Sequence, residues 1–450
     1  MNASMPLHII SRTWRTCAFI GILLLCPRLD AADKVGRSGK KGVPPPPAVR
    51  PAAENKMQKW TSADGRILLA EWIQQVGDVV TLKLENGRLA QVPLAQLSAQ
   101  SQASARFVAR FNGREPTYHW TIYAGHSTER GKTDGSLKDA RFSSPGGMAF
   151  DASNNLFVAD VENNTIRKIT PDGNVNTYAG KAGVSGEADG ELSAARFHHP
   201  CGLVFDPDGS LWVVDAVNST LRKITEGRVV TVAGATGRRV SYGHEDGKGT
   251  EARFFFPWAA VLDSSGNVFV TDSENGTVRR VTPGGDVTTF AGKARDKVFF
   301  VDGKGDQARF ASPRGLAIDQ NGCLYVCDPP NHVIRKISPA GEVSTFAGQV
   351  GASGRSDGML DEARFFSPTG LAMDATGALF VADLGSCTIR KISANGQVST
   401  IGGTPGMVGK QEGAGSVAHF VYPNRIAVDR EGVLYVDDLD KRVIYRGVPK

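Results

Sequence analysis

One proline recurs six times along the chain at nearly constant spacing, and this repeat limits the possible folds more than any other feature. Successive copies are 55 to 57 residues apart, and an aspartate follows each proline by six residues. A fixed period of this length is typical of an array of equivalent supersecondary units. The prolines are Pro145, Pro200, Pro257, Pro313, Pro368 and Pro423, and the aspartates are Asp151, Asp206, Asp263, Asp319, Asp374 and Asp429.

The repeats contain four short segments with the composition of strands. In the first repeat they read GMAF, LFVAD, TIRKI and VNTYAG, and similar sequences return in the later repeats. A four-stranded unit with two half-buried faces is not stable alone, and radial stacking against its neighbours buries both faces. The sequence therefore predicts an all-β protein whose main domain, over residues 118–450, is a six-bladed β-propeller.

The sixth repeat has no fourth strand after its third one. The missing sequence lies upstream, where HWTIYAG at residues 119–125 matches the fourth-strand sequence VNTYAG. We therefore expect the segment 119–125 to complete the sixth blade and to close the ring.

The repeated pattern P-x-G-L-A-x-D-x-x-G-x-L-x-V-A-D-x-x-N-x-x-I-R-K-I resembles the NHL repeat, over about three quarters of the chain. This resemblance implies an interaction platform, since NHL propellers bind RNA or protein on the face that carries the inter-blade loops. Related six-bladed folds include hydrolases and lyases, so the fold alone does not decide the activity.

Residues 57–112 alternate apolar and polar positions and predict a small β domain. Asn86-Gly87 is a strong hairpin signal, and Ser98 can cap a helix over residues 99–111. The order of its motifs resembles the SLA1 homology domain 1, an SH3-like module, which implies an adaptor for short Asn-Pro-Phe-x-Asp peptides. The alternative is a small stable adaptor barrel whose ligand is unknown or that has no ligand. The matching residues are Trp60, Asp64, Gly65, Ala70, Glu71, Gly87, Pro93 and Leu97.

Residues 1–31 have the order of a secretory signal peptide. Arg12 and Arg15 precede a short apolar segment, and Ala31 supplies a small residue for cleavage. The apolar segment is too short to span a bilayer, and an uncleaved anchor is the alternative. Residues 32–56 are rich in Pro, Lys and Gly, which predicts an extended linker. The expected location is secreted, periplasmic or at the cell surface, with no transmembrane span after removal of the signal.

The net charge of +6 resides entirely in residues 1–56, so residues 57–450 are formally neutral. Nucleic-acid-binding folds usually carry a basic patch. We therefore expect a protein, peptide or glycan partner rather than a nucleic acid.

Residues that differ between repeats are the candidates for a binding site, because residues present in every repeat are explained by the architecture. The two positions after each repeated proline should lie near the mouth of the central channel, and aromatic and arginine side chains there suit a peptide or carbohydrate. The alternative is a loop surface without a function. The predicted ligand-binding residues are Trp258, Arg314, Thr369, Asn424 and Arg425, and the entering loops add Arg238, Arg239, Tyr242, Phe299 and Phe300.

An acid and an arginine seven residues apart recur where the first five blades begin, as in Asp134 and Arg141. We expect this pair to staple adjacent blades, with a ring of arginines facing a ligand as the alternative. The cysteines at positions 201, 323, 327 and 387 are expected to be buried free thiols.

The zinc-protease motif H-E-x-x-H and the phosphate-binding glycine loop G-x-x-x-x-G-K-[ST] do not occur in the sequence. No catalytic residue, metal site or cofactor is predicted. The sequence therefore favours an exported, non-catalytic scaffold with two binding modules. The alternative is a lactonase- or lyase-type enzyme with its site at the channel mouth, in which His198 or His419 would act with an arginine.

Overall fold

The computed structural model describes residues 58–111, 114–236 and 242–450. The predicted signal peptide and linker lie outside the described residues, and so do Arg238 and Arg239. Among the described residues, no helix is long and apolar enough to cross a membrane.

The N-terminal described segment forms a four-stranded antiparallel sheet followed by a helix. Its strands pair in chain order and span Gln58–Thr61, Ile67–Val76, Val79–Leu84 and Leu89–Pro93. A short 3-10 helix at Leu94–Gln96 precedes helix α1, Ala99–Arg110. The helix begins after Ser98, whose hydroxyl accepts a hydrogen bond from the Ser101 backbone N–H at 3.3 Å.

The described residues from 118 onward form six antiparallel sheets of five strands each, called sheets 1 to 6 in the order of their first strands. In each sheet we call the strand that begins at or shortly after the repeated proline the first strand, and the strands then lie side by side in the order first, second, third, fourth, fifth. The fifth strand lies at the outer edge and precedes the first strand along the chain in the same repeat. The first strands are Pro145–Phe150, Pro200–Phe205, Pro257–Leu262, Leu316–Ile318, Pro368–Met373 and Pro423–Val428. The second strands are Leu156–Asp160, Leu211–Asp215, Val268–Asp272, Leu324–Asp328, Leu379–Asp383 and Leu434–Asp438.

The outer strands follow the same order of sheets. The third strands are Thr165–Ile169, Thr220–Thr225, Thr277–Val281, Val333–Ile337, Thr388–Ile392 and Val443–Pro449. The fourth strands are Asn174–Gly180, Arg228–Ala233, Asp286–Ala291, Glu342–Ala347, Gln397–Gly402 and Tyr118–Gly125.

The fifth strand of each sheet has two residues and was not predicted from the sequence. The six copies are Gly135–Ser136, Gly190–Glu191, Gly247–Lys248, Gly303–Lys304, Gly358–Met359 and Gly413–Ala414. In the loop that leads into each repeat, an acidic residue is followed directly by a glycine, as in Asp134-Gly135. This pair predicts only a turn. Its glycine has φ between 133° and 157°, which a side chain would disfavour, and this backbone places the next residue against the fourth strand.

The six first strands form a closed circuit of contacts. Each first strand contacts the next one, and Pro423–Val428 contacts Pro145–Phe150. In sheet 6 the N-terminal strand Tyr118–Gly125 pairs with the C-terminal strand Val443–Pro449, with Gly125 opposite Val443 and Tyr118 opposite Pro449. The prediction of an all-β fold is confirmed, and the blade-like five-stranded sheets are consistent with a β-propeller.

The hydrophobic core lies between successive sheets. Six clusters of buried side chains occur in the propeller part of the described residues, and each combines two neighbouring sheets. Val158 and Val175 of sheet 1, for example, pack with Tyr435 and Ile444 of sheet 6. Each sheet is therefore buried on both faces, as the stacking argument requires.

The expected pair of Asp134 and Arg141 is wrong. Asp134 instead accepts from Arg167 of the third strand at 2.6 Å, and Arg167 also contacts Asp160 at 3.2 Å. Arg141 donates to backbone carbonyls of its own turn, including that of Lys138 at 2.8 Å, because this tight turn directs the carbonyls toward it. The link therefore lies within one sheet rather than between adjacent sheets. It recurs around Arg222, Arg279, Arg335 and Arg390.

Candidate functional site

Residues one or two positions after the repeated proline meet across the centre of the propeller. The guanidinium carbon of Arg425 in sheet 6 lies 4.3 Å from the centre of the Trp258 ring in sheet 3. Arg425 also donates from Nη2 to the Trp258 carbonyl oxygen at 3.1 Å. Sheets 3 and 6 are not neighbours in the circuit of first strands, so this contact crosses the centre of the circle of sheets.

Arg314, in the loop that enters the first strand of sheet 4, approaches the same aromatic ring. Its guanidinium carbon lies 4.7 Å from the centre of the Trp258 ring. Its backbone N–H donates to the Cys327 carbonyl at 3.0 Å, and its carbonyl accepts from the Thr271 hydroxyl at 2.8 Å. Both Arg314 and Trp258 are half-buried, so the cluster has access to solvent.

Irregular strand pairing explains how these side chains reach the centre. The register of the first two strands shifts between Pro257 and Ala260 in sheet 3, and between Pro423 and Ile426 in sheet 6. A bulge of this kind redirects side chains and leaves backbone groups without ladder partners. In sheet 3 the Thr271 hydroxyl accepts from the freed Ala259 N–H at 3.0 Å.

Asp437 has the corresponding role in sheet 6. Its Oδ1 accepts from the Arg425 backbone N–H, and its Oδ2 accepts from Asn424 Nδ2 at 3.4 Å. Burial raises the pKa of Asp437 well above its ordinary value. Asp437 was not among the residues predicted from the sequence, although the sequence contains a signal for it. The second strand of sheet 6 reads LYVDD, with an acid where the other sheets have Ala, Val, Thr or Cys.

The remaining two predicted residues lie beside this cluster. Thr369 donates from its hydroxyl to the Asn424 carbonyl at 3.1 Å, which joins the first strands of sheets 5 and 6. The exposed fraction is only 1% for Thr369 and 2% for Asn424. Asn424 Oδ1 and Trp258 Nε1 are both buried atoms that have no hydrogen-bond partner among the described residues.

Two thiols, also missed as site residues, complete the surroundings. Cys201 donates to the Trp258 carbonyl at 3.3 Å, and burial raises the pKa of Cys201 to about 11. Burial also raises the pKa of Cys327 well above its ordinary value. Both thiols are free, as expected from the sequence, and these pKa values keep them neutral near pH 7.

The centre therefore carries excess positive charge. Burial, and secondly the neighbouring Arg425, lower the pKa of Arg314 to about 10, and burial lowers the pKa of Arg425. Guanidinium groups keep their proton in proteins, so both arginines are charged at neutral pH. Among the residues that the structure describes, neither arginine forms an ion pair with a carboxylate.

The entering-loop residues named from the sequence take other positions. Tyr242 stacks on Phe255 with ring centres 5.2 Å apart, and the Phe300 ring lies 4.3 Å from the guanidinium carbon of Arg335. Phe299 is 61% exposed. In the described part of the chain, no group of three or more His, Cys, Asp or Glu side chains is arranged to hold a metal ion.

Comparison with known proteins identifies the repeat. Residues 142–169 match the NHL repeat family, so the resemblance inferred from the sequence is confirmed for this segment. The chain is 28% identical over 300 residues to "Protein SUPPRESSOR OF QUENCHING 1, chloroplastic" of Arabidopsis thaliana. The matched region covers 61% of this chain and 27% of that protein. The chain is 29% identical over 300 residues to "NHL repeat-containing protein 2" of Homo sapiens, covering 58% and 40% respectively. These matches span less than half of either relative.

Solved structures support the fold. A protein of unknown function from Bacteroides thetaiotaomicron superposes with a TM-score of 0.59 at 17% identity, covering 89% of this chain and 92% of that one. An auxiliary nutrient binding protein from the same species gives a TM-score of 0.56 at 14% identity, covering 88% and 92%. At these identities the likeness concerns the fold alone. The chain thus contains an NHL repeat and is similar to NHL-repeat proteins.

Proposed function

We propose that this chain is an exported, non-catalytic interaction protein that binds a protein, peptide or glycan at the centre of a six-bladed NHL propeller. The propeller comprises residues 118–450 and is closed by strand 119–125. Its binding site comprises Trp258, Arg314, Thr369, Asn424 and Arg425. The signal-like residues 1–31 support export to the periplasm, the cell surface or the medium.

The contact of Arg314 and Arg425 with one tryptophan carries this proposal. Repeated residues build the sheets, and they need no further role. These side chains are not repeated, yet they come from different sheets to one half-buried cluster. Tryptophan and arginine are the residue types that most often dominate binding energy at interfaces.

The small N-terminal domain is a second module in this proposal, an SH3-like adaptor of residues 57–112. Several residues that carry the resemblance lie in its core, where Trp60 Nε1 donates to the Ala70 carbonyl at 3.1 Å. Helix α1 also contacts the larger domain, since Gln100 Nε2 donates to the Thr376 carbonyl at 3.0 Å. Such contacts would hold two binding surfaces in one scaffold.

A pull-down from the extracytoplasmic fraction, analysed by mass spectrometry, tests the proposal. The full chain carrying both Trp258→Ala and Arg314→Ala should lose the partner that the wild type captures. Arg228→Ala, which alters an exposed arginine on a fourth strand, is the matched control and should retain it. Equal capture by the central variant and the wild type would contradict a site at the centre.

A further inference from the structure

Buried arginines in this fold normally have acidic partners. In sheets 1 to 5 the third-strand arginine lies between a buried and a partly exposed aspartate, as Arg279 does between Asp272 at 2.9 Å and Asp246 at 2.7 Å. Arg314 and Arg425 are exceptions within the described residues, although Arg425 is only 6% exposed. Their lack of an acidic partner is therefore a local property of the centre.

The exposed Glu274 attracts Arg314, but the described residues show no ion pair between the two. The buried carboxylate near Arg425 is already occupied by other groups. Asp437 accepts from the Arg425 backbone N–H and from the Asn424 amide. Its oxygen atoms do not pair with either guanidinium group. Two like charges are thus held near one indole ring, and their mutual repulsion is relieved when an anion binds between them.

The cluster also contains polar atoms that a ligand can satisfy. Within the part of the chain that the structure describes, Trp258 Nε1 is a buried donor without a partner and Asn424 Oδ1 is a buried acceptor without a partner. Buried polar atoms are nearly always hydrogen-bonded in folded proteins, and unpaired ones are costly. Their presence beside two unpaired cations indicates a site whose missing partner comes from outside the chain.

We propose that the centre of the ring binds the carboxylate group of a ligand between the guanidinium groups of Arg314 and Arg425, with the body of the ligand against Trp258. This inference deepens the proposed function and rests on it, because it names the chemistry of the ligand at the same site. A uronic acid and a peptide carboxylate share this chemistry.

A carboxylate fits these residues better than an inorganic anion does. The planar guanidinium fork matches the two oxygens of a carboxylate. The flat Trp258 ring provides an apolar surface for an organic group, and Asn424 Oδ1 can accept a hydrogen bond from a ligand hydroxyl or N–H group. An inorganic anion would use only the arginines.

Calorimetric titration of the full chain tests the inference with matched probes. D-Galacturonate is compared with D-galactose, and N-acetylphenylalanine with its amide, so that each pair differs in the carboxylate. Inorganic phosphate is the third probe. We expect at least one carboxylate to bind, with its neutral counterpart weaker by about tenfold or more. The pair that shows the difference identifies the source, sugar or peptide.

Variants assign the binding to the two arginines. Arg314→Gln and Arg425→Met should each weaken carboxylate binding by about tenfold or more, and Arg228→Gln should leave it unchanged. The partly exposed Arg314 provides a second test should the change at the buried Arg425 prevent folding. A saturating carboxylate should also raise the melting temperature of the wild type but not that of Arg314→Gln.

Four results would overturn the carboxylate assignment: no binding of either carboxylate at millimolar concentration, equal binding of the neutral counterparts, tighter binding of phosphate, or unchanged binding in both arginine variants. The proposed function fails separately. If the double variant Trp258→Ala with Arg314→Ala loses its captured partner while carboxylates bind no better than neutral probes, only the carboxylate inference is wrong. If carboxylates bind through the arginines but partner capture does not change, the proposed interaction function is wrong.

Discussion

Arg425 lies over the ring of Trp258, with its guanidinium carbon 4.3 Å from the ring centre, although the two residues belong to sheets on opposite sides of the contact circuit. Arg314 approaches the same ring at 4.7 Å. A cation over an aromatic face is favourable, but this attraction does not replace a counter-ion. The stability of the empty protein should therefore be limited by these charges.

Removing one of these unpaired charges should stabilise the protein. Arg314→Met is expected to raise the free energy of unfolding by about 1 kcal/mol, because it removes an uncompensated charge and keeps an apolar side chain over Trp258. The control is Arg279→Met, which leaves Asp272 buried without its cation. That control should lower the free energy of unfolding by about 3–5 kcal/mol.

Urea denaturation of both variants at neutral pH measures the contrast. A loss of stability in Arg314→Met similar to that in Arg279→Met would show that Arg314 has a structural partner. Arg314 would then not be an uncompensated charge at the centre of the propeller.

Trp120 in the sixth sheet replaces a smaller residue of the other sheets. It lies opposite Gly447, where sheet 1 pairs Val175 with Ile169. A Cβ atom at Gly447 would lie 2.6 Å from the Trp120 ring, and one at Gly402 would lie 2.5 Å from Trp120 Nε1. The two glycines thus leave the space that the indole fills.

A double-mutant cycle tests this exchange of volume. Trp120→Val should cost about 2–5 kcal/mol of unfolding free energy through the cavity it leaves. Gly447→Ile should cost about 1–3 kcal/mol through overpacking. The double variant should be more stable than the sum of the single changes predicts, by about 1–3 kcal/mol. Additive losses in chemical denaturation would contradict direct packing of these two residues.

The sequence predicts most of the architecture because the repeats reveal it. The repeated proline, such as Pro257, begins the first strand in five of the six described propeller sheets. The departure from the repeat at position 258 marks a candidate site. The sequence could not show which arginine Asp134 contacts, because Arg141 and Arg167 are both basic residues in repeated positions. The direct contact between Trp258 and Arg425 could not be predicted from the sequence either, because this contact depends on side-chain length and on strand bulges.

His332 should make stability depend on pH. Its Nδ1 accepts a hydrogen bond from the Ser367 backbone N–H at 3.2 Å, and burial lowers the pKa of His332 below its ordinary value of 6.5. Between the folded pKa and 6.5 the unfolded chain binds more protons than the folded one, so this contribution to stability is lost as the pH falls below 6.5. In sheet 1 the equivalent acceptor is Asn164, whose Oδ1 accepts from the His199 N–H at 2.9 Å.

His332→Asn should therefore keep the hydrogen bond and remove the titration. We expect the unfolding free energy of the wild type, relative to that of His332→Asn, to decrease from pH 7.5 to pH 5 in urea denaturation. His332→Ala lacks the acceptor and should be less stable than His332→Asn at pH 7.5. A difference between wild type and His332→Asn that does not change with pH would contradict this role.

Asp437 should have the opposite pH dependence. Burial raises its pKa in the folded state, so the folded protein binds a proton more tightly than the unfolded chain does. This contribution to stability is present in acid and is lost as the pH rises through the folded pKa.

Asp437→Asn keeps an acceptor for the Arg425 N–H and has no charge to bury. It should therefore gain stability relative to the wild type as the pH rises from 4 to 8 in urea denaturation. Asp437→Ala, which leaves that N–H unpaired, should cost about 1–3 kcal/mol. A constant difference between Asp437→Asn and the wild type across this range would show that the carboxyl group does not titrate in the centre.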